Sequence, residues 1–410
     1  MLKAKSRSVV SAIALTTLVL SGCGAGGTGD ASKDGQKSLR FATWDSDENL
    51  KLQQQLVDKF NLAHPDIKVT LEAYGSDYDT KIAAGMGAKD APDVMYMWNY
   101  PTYKEALEPL DSYIGKEGAD YKGNFYEALW NYNSTDGKTL GIPVGYTTHV
   151  VYYNKDLFDK AGVAYPTSGW TWDDLQKTAK QLNNPAEKIS GFAFSGKPDP
   201  YDYEMYLWGN KTSYVDEQGK IAGALNGPKS VEVLTMFQNM LKDGFAISTE
   251  GTGSTEMKSG KVAMFTNGAW SIGSLREAGI NFGVVEIPSY KNGTSASIVS
   301  SSGVSMSNNS KNKEAAWEFI KYWTNEENNK ARIDYELPVL KSVVTNEKLE
   351  EDKFKSVFYS MLKKSEGFTP TSFKVANWSE MSEKLALVFE QIFNPSTLMD
   401  PQKALDQAAK

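Results

Sequence analysis

The chain has 410 residues, with 44 Lys and Arg against 51 Asp and Glu and a formal net charge of −7. That acidic balance leaves no basic footprint for nucleic acid. A single cysteine excludes a disulfide framework and a Cys-based metal site, so the fold must be stabilised by its core.

Lys3, Lys5 and Arg7 precede an apolar stretch at 9–20, too short to span a bilayer, as in secretory signals. Leu20-Ser21-Gly22-Cys23 follows and resembles a bacterial lipobox, in which the cysteine receives acyl chains such as palmitate. The expectation is therefore a lipoprotein signal peptide at 1–22, with Cys23 the first residue of an exported, membrane-anchored protein. Losing three cations takes the formal charge from −7 to −10 and leaves three arginines, Arg40, Arg276 and Arg332. Residues 23–38 are mostly Gly, Ser, Asp and Lys without apolar periodicity, which reads as a flexible tether. Gly24, Gly26 and Gly29 match G-x-G-x-x-G, but neither a strand before them nor a helix after them supports a dinucleotide site. About 390 residues remain, more than one hydrophobic core supports, so two lobes are expected.

Residues 39–44 read as a buried strand, and Leu52, Leu56, Val57 and Phe60 recur at helical spacing until His64-Pro65 stops them. A second strand at 67–71, a short helix at 80–86 and a third strand at 93–98 complete β-α-β-α-β, hence a parallel sheet. Strand-like runs at 141–144 and 150–153 bracket a turn at Gly145. Thr171 with Asp174 forms a capping box for a helix burying Leu175, Ala179 and Leu182. Val231, Leu234, Phe237 and Leu241 mark another helix. A strand at 262–265, a turn at Asn267-Gly268 and a helix from Ala269 come next. After 282–287 and a Ser-rich stretch through Ser302, the remainder is mostly helical.

From Leu39 onward the order of motifs resembles the extracellular solute-binding proteins that include maltose-binding protein and other sugar receptors of ABC importers. The resemblance is carried by Phe41-Ala42-Thr43-Trp44, Ala91-Pro92-Asp93-Val94 and Gly141-Ile142-Pro143-Val144. It continues through Tyr152-Tyr153-Asn154-Lys155-Asp156-Leu157-Phe158, Ala263-Met264-Phe265-Thr266-Asn267-Gly268-Ala269-Trp270 and Lys313-Glu314-Ala315-Ala316-Trp317-Glu318-Phe319. Gly145 departs from the pattern, where a small polar or β-branched residue is usual. The resemblance implies an α/β fold of two discontinuous lobes joined by hinge strands: 39–145 with 302–350, and 149–297 with 351–410. The crossings fall at 145–150 and within 297–303, and the lobes close over ligand by a hinge motion.

A sugar ring presents C–H faces to aromatic platforms and hydroxyls to carboxylates and amides. Trp44 with Asp45, and Trp98 with Asn99, stand at strand ends where open α/β sheets bind ligands; each tryptophan also reads as core. Asp79 reads either as a helix cap or as a ligand contact. The resemblance adds Glu204 and Tyr206 by order, in an aromatic cluster that could equally be a lobe surface. It also adds Trp270 as the family's cleft tryptophan, beside Asn267, and Trp378 as a second platform. Tyr146 and Thr147 sit at the first crossing.

The implied protein is a monomeric, lipid-anchored carbohydrate receptor that serves an ABC permease, without cofactor, metal or catalytic residues. The rivals are a receptor for a peptide or an organic anion and a glycoside hydrolase, for which Asp45 and Glu204 could supply two carboxylates. His64 and His149 lack the Ser, Cys or H-E-x-x-H context of catalysis and read as structural. Gly260-Lys261 is not a P-loop, since position 255 is Thr and Val262 follows the lysine.

Overall fold

The computed structural model describes residues 35–291 and 293–410. The signal segment and Cys23 lie outside the described residues, as does most of the tether; the first strand begins at Lys37, two residues before the expected strand.

Among the described residues, twelve strands form two five-stranded sheets and one small ladder. β1 (Lys37–Thr43), β2 (Ile67–Ala73) and β3 (Val94–Met97) are mutually parallel about β1, with Phe41 opposite both Leu71 and Val94. The helices Asp47–Ala63 and Tyr78–Ala88 connect them, as the periodicity predicts. The first buries Gln53, Leu56, Val57 and Phe60, and its one polar inward residue returns below as part of the site. β4 (Ser134–Thr135) and β5 (Lys138–Thr139) form a hairpin whose turn residues Asp136 and Gly137 both have positive φ, as a tight Asp-Gly turn requires.

β6 (Ile142–Thr148) runs without interruption through Gly145, so the expected turn does not exist. Glycine is needed there for a different reason: a Cβ at 145 would sit 3.2 Å from Cβ and Cδ of Glu336. β7 (Val150–Asn154) belongs to the other sheet, so the chain changes sheets at His149. β8 (Phe192–Ser195), β9 (Ala246–Thr249), β10 (Met264–Asn267) and β11 (Phe282–Val285) complete that sheet in the order β11-β7-β10-β8-β9. Asn267 is the last strand residue rather than part of a turn, and the next helix starts at Ser271.

β12 (Val299–Met306) returns the chain to the first sheet, whose order is β2-β1-β3-β12-β6. It is antiparallel to both β3 and β6, so the sheet is mixed, and the Ser-rich stretch is partly strand. Ser301 is buried there because its hydroxyl reaches the Gly145 carbonyl at 3.2 Å, which satisfies a polar group inside the sheet.

Helices cover the faces of both sheets, and β3, β7 and β10 are buried along their whole length. In the first lobe Phe319 and Trp323 of helix Lys313–Trp323 meet Phe41 edge-on at 5.0 and 4.7 Å. In the second, the capped helix Trp172–Leu182 packs Trp172 against Phe237 of helix Pro228–Lys242, 5.3 Å between centroids. Burying each such ring contributes roughly 1.5–3 kcal/mol. Helix Lys355–Lys364 lies along both crossings: Thr148 Oγ1 donates to the Phe358 carbonyl at 3.1 Å, and Ser365 Oγ accepts the Ser297 N–H at 2.9 Å.

Candidate functional site

The parallel register of β1 and β3 carries Trp44 and Trp98 to the same edge of the first sheet. Trp44 is half-buried, 5.1 Å from Tyr78 and 5.0 Å from Tyr96. Trp98 is 45% exposed, and its indole N–H donates to Asp79 Oδ1 at 3.2 Å. Asp79 makes no capping bond to its own helix, so it serves the tryptophan and not the helix end. Asn99 opens the short helix Tyr100–Tyr103 and also makes no side-chain cap.

Asp45 is held from several sides. Its N–H donates to Thr43 Oγ1 at 3.1 Å, and its carboxylate accepts from Asn49 and Gln53. Burial pushes its pKa up, and these hydrogen bonds oppose the shift. Behind it runs a network that the sequence reading missed. The Tyr96 hydroxyl accepts from Gln53 at 3.4 Å and from Trp323 Nε1 at 3.2 Å, and donates to Glu336 Oε1 at 3.3 Å. Glu336 is paired with Arg332 at 3.1 Å, and the guanidinium also lies 5.1 Å over the Trp323 ring. Burial raises the Glu336 pKa, with Arg332 opposing it. Gln53 Oε1 and Arg332 Nη2 have no partner among the described residues.

In the second lobe Trp270 follows β10 and is 58% exposed, the most open tryptophan among the exposed large apolar residues. Its ring folds back over Gly268, where any Cβ would collide with the indole. The Gly268 carbonyl accepts from Tyr152 at 2.7 Å, and the Ala269 N–H donates to Thr147 Oγ1 at 2.8 Å. Thr147 thus fastens the first crossing strand to the Trp270 loop, although it is 8% exposed and its hydroxyl also donates to the Thr148 carbonyl. Tyr146 is buried edge-on against Tyr359 at 5.6 Å. Asn267 is spent on its own loop: its amide donates to Thr252 and Ser271, and its carbonyl oxygen accepts from the Gly268 N–H.

Glu204 and Tyr206 lie in the interior of the second lobe. Glu204 is fully buried, accepting from Ser213 Oγ at 2.6 Å and from the Thr371 N–H at 2.8 Å, and burial raises its pKa. Its carboxylate has no exposed surface. Tyr206 is core, 4.8 Å from Phe237 and 5.6 Å from Trp172. The helix Pro200–Gly209 is buried on all sides over residues 203–209, while Tyr201 and Asp202 in its first turn stay partly open. The Tyr201 hydroxyl donates to the Val299 carbonyl at 3.0 Å, and Asp202 faces His149. Trp378 is half-buried and leans on Tyr214, 6.1 Å away.

Two α/β lobes with aromatic platforms and carboxylates at the strand ends where the chain crosses between sheets define a two-lobed solute receptor. The chain belongs to the bacterial extracellular solute-binding protein family, whose profile matches residues 55–355. The galactooligosaccharide-binding protein of Bacillus subtilis is 26% identical, over 99% of this chain and 96% of its own length. An ABC substrate-binding protein from Listeria monocytogenes in complex with cycloalternan is 26% identical, with a TM-score of 0.78 over 91% of this chain and 97% of that one. A Mycobacterium tuberculosis protein in complex with glycerophosphocholine shares the fold at 20% identity, with a TM-score of 0.76 over 91% of this chain and 98% of that one. No described helix is long and apolar enough to cross a membrane.

Proposed function

We propose that this chain is a carbohydrate receptor, for an oligosaccharide, that closes over its ligand by a hinge motion and delivers it intact to an ABC permease. The observation that carries the reading is the pairing of open indole faces with polar partners: Trp270 at 58% exposure, and Trp98 at 45% with Asp79 on its N–H. Such surfaces match the C–H faces and hydroxyl rim of a sugar. The names of the Bacillus and Listeria proteins, an oligosaccharide binder and a cycloalternan complex, support the same class.

Phosphodiester ligands recruit guanidinium forks. Arg40 pairs with Glu72 and Asp90, Arg332 is buried with Glu336, and Arg276 lies over Phe354, which favours a neutral polyol. The hinge lies at His149 and in the return segment between β11 and β12. Cys23 is the lipid anchor, and the receptor works as a monomer.

Purified Cys23→Ala protein should change its Trp fluorescence on binding a particular saccharide and return that saccharide chemically intact. Release of shorter sugars would replace the receptor with a hydrolase.

A further inference from the structure

The point where the chain passes between sheets holds a polar pair that nothing in the fold completes. His149, 3% exposed, donates its backbone N–H to Ser297 Oγ at 2.6 Å on the return segment. Its ring stands edge-on to Trp270, centroids 5.6 Å apart. Its Nε2 has no hydrogen-bond partner among the described residues. The Asp202 carboxylate that faces it is 3.8 Å away, beyond hydrogen-bond reach. Asp202 is partly exposed, and its carboxylate accepts no hydrogen bond among the described residues. A buried, orphaned ring nitrogen is uncommon, and a missing partner is one explanation for it.

We propose that His149 and Asp202 form a ligand-recognition pair, completed by one hydroxyl of the sugar ring seated on Trp270. An oxygen about 2.8 Å from each would span the gap, donating its proton to the carboxylate and accepting the Nε2 proton of the imidazole. That geometry needs a proton on Nε2, which the Nε2–H tautomer of the neutral ring supplies; burial holds the His149 pKa below its ordinary 6.5 while Asp202 and Asp199 oppose the shift. Both acids come from the helix that starts at Pro200 and its cap; the other groups named around the ring, Trp270 and Ser297, are uncharged. Contact at the crossing residue also links ligand capture to the hinge. The inference rests on the carbohydrate reading.

The test uses Cys23→Ala protein and calorimetry. Once a saccharide is found, its monodeoxy analogues are measured against the parent protein, His149→Asn and Asp202→Asn. One deoxy position should weaken binding at least about tenfold in the parent protein, the size expected for the hydrogen bond to the carboxylate alone. Each variant should weaken the intact sugar and narrow the gap between it and that analogue, leaving the gaps at the other positions as in the parent protein. Losses that multiply at every position, or variants that bind the intact sugar as tightly as the parent protein, overturn the pair while leaving the receptor reading intact. If no saccharide binds at all, both readings fall. Should His149→Asn fold poorly, Asp202→Asn, altered at a partly exposed side chain, decides the question alone.

Discussion

The two lobes present contrasting faces near the crossing. In the first, Asp45 is tied to Thr43, Asn49 and Gln53, and the chain of contacts continues through Tyr96 and Glu336 to Arg332. In the second, Trp270 is the most open of its kind, and His149 and Asp202 face each other without bonding. The first face is positioned before ligand arrives; the second has hydrogen-bonding capacity left to offer. A receptor that closes on its ligand can use both, one lobe as a fixed platform and the other as the part completed by binding.

The largest effect should come from breaking the fixed side. Arg332→Met leaves Glu336 as a buried, unpaired acid beside Asp45 and should cost roughly 3–5 kcal/mol of stability, read as a lowered denaturant midpoint. A variant that also carries Glu336→Gln should recover part of that loss. On the open side, Trp270→Ala should leave the melting temperature nearly unchanged and weaken saccharide binding by about 2 kcal/mol, some thirtyfold. Gly145→Ala tests the contact between the crossing strand and the first-lobe network: the new methyl must displace Glu336 and should destabilise by roughly 1 kcal/mol, measured by chemical denaturation.

The smallest effect is one of pH. Burial lowers the His149 pKa, so the unfolded chain binds that proton first on acidification. Stability conferred by the neutral ring is present above 6.5 and is lost as pH falls from there to the depressed folded value. Glu204 and Asp202, whose pKa values burial raises, act with the opposite slope, being fully favourable only when protonated and losing that contribution as pH rises through their raised values. The difference in stability between wild type and His149→Gln, followed from pH 7 downward, isolates the histidine: the wild type should lose the more.

Local signals carried much of the fold. The first three strands, the helix through Leu56 and Phe60, and the Thr171–Asp174 capping box were all legible because each depends on neighbours a few residues apart. Gly145 was misread because glycine signals both a turn and a close approach, and its partner Glu336 lies far along the chain. β12 was hidden because its serines look like loop residues until a second strand offers carbonyls to them. In the aromatic cluster the helical period could not tell contact from core, because residues 203–209 are buried all round the helix and Glu204 and Tyr206 lie on opposite sides of it. Nothing local could pair His149 with Asp202, or Asp45 with the Glu336–Arg332 bridge, since each pairing exists only once the lobes are folded.

The most direct test of the central claim is calorimetry of Cys23→Ala protein against neutral oligosaccharides and glycerophosphodiesters, repeated with Trp270→Ala. The account predicts saturable binding of an oligosaccharide that the substitution weakens by more than tenfold, about 1.4 kcal/mol. Binding confined to the phosphodiesters, or saccharide binding indifferent to Trp270, would contradict it.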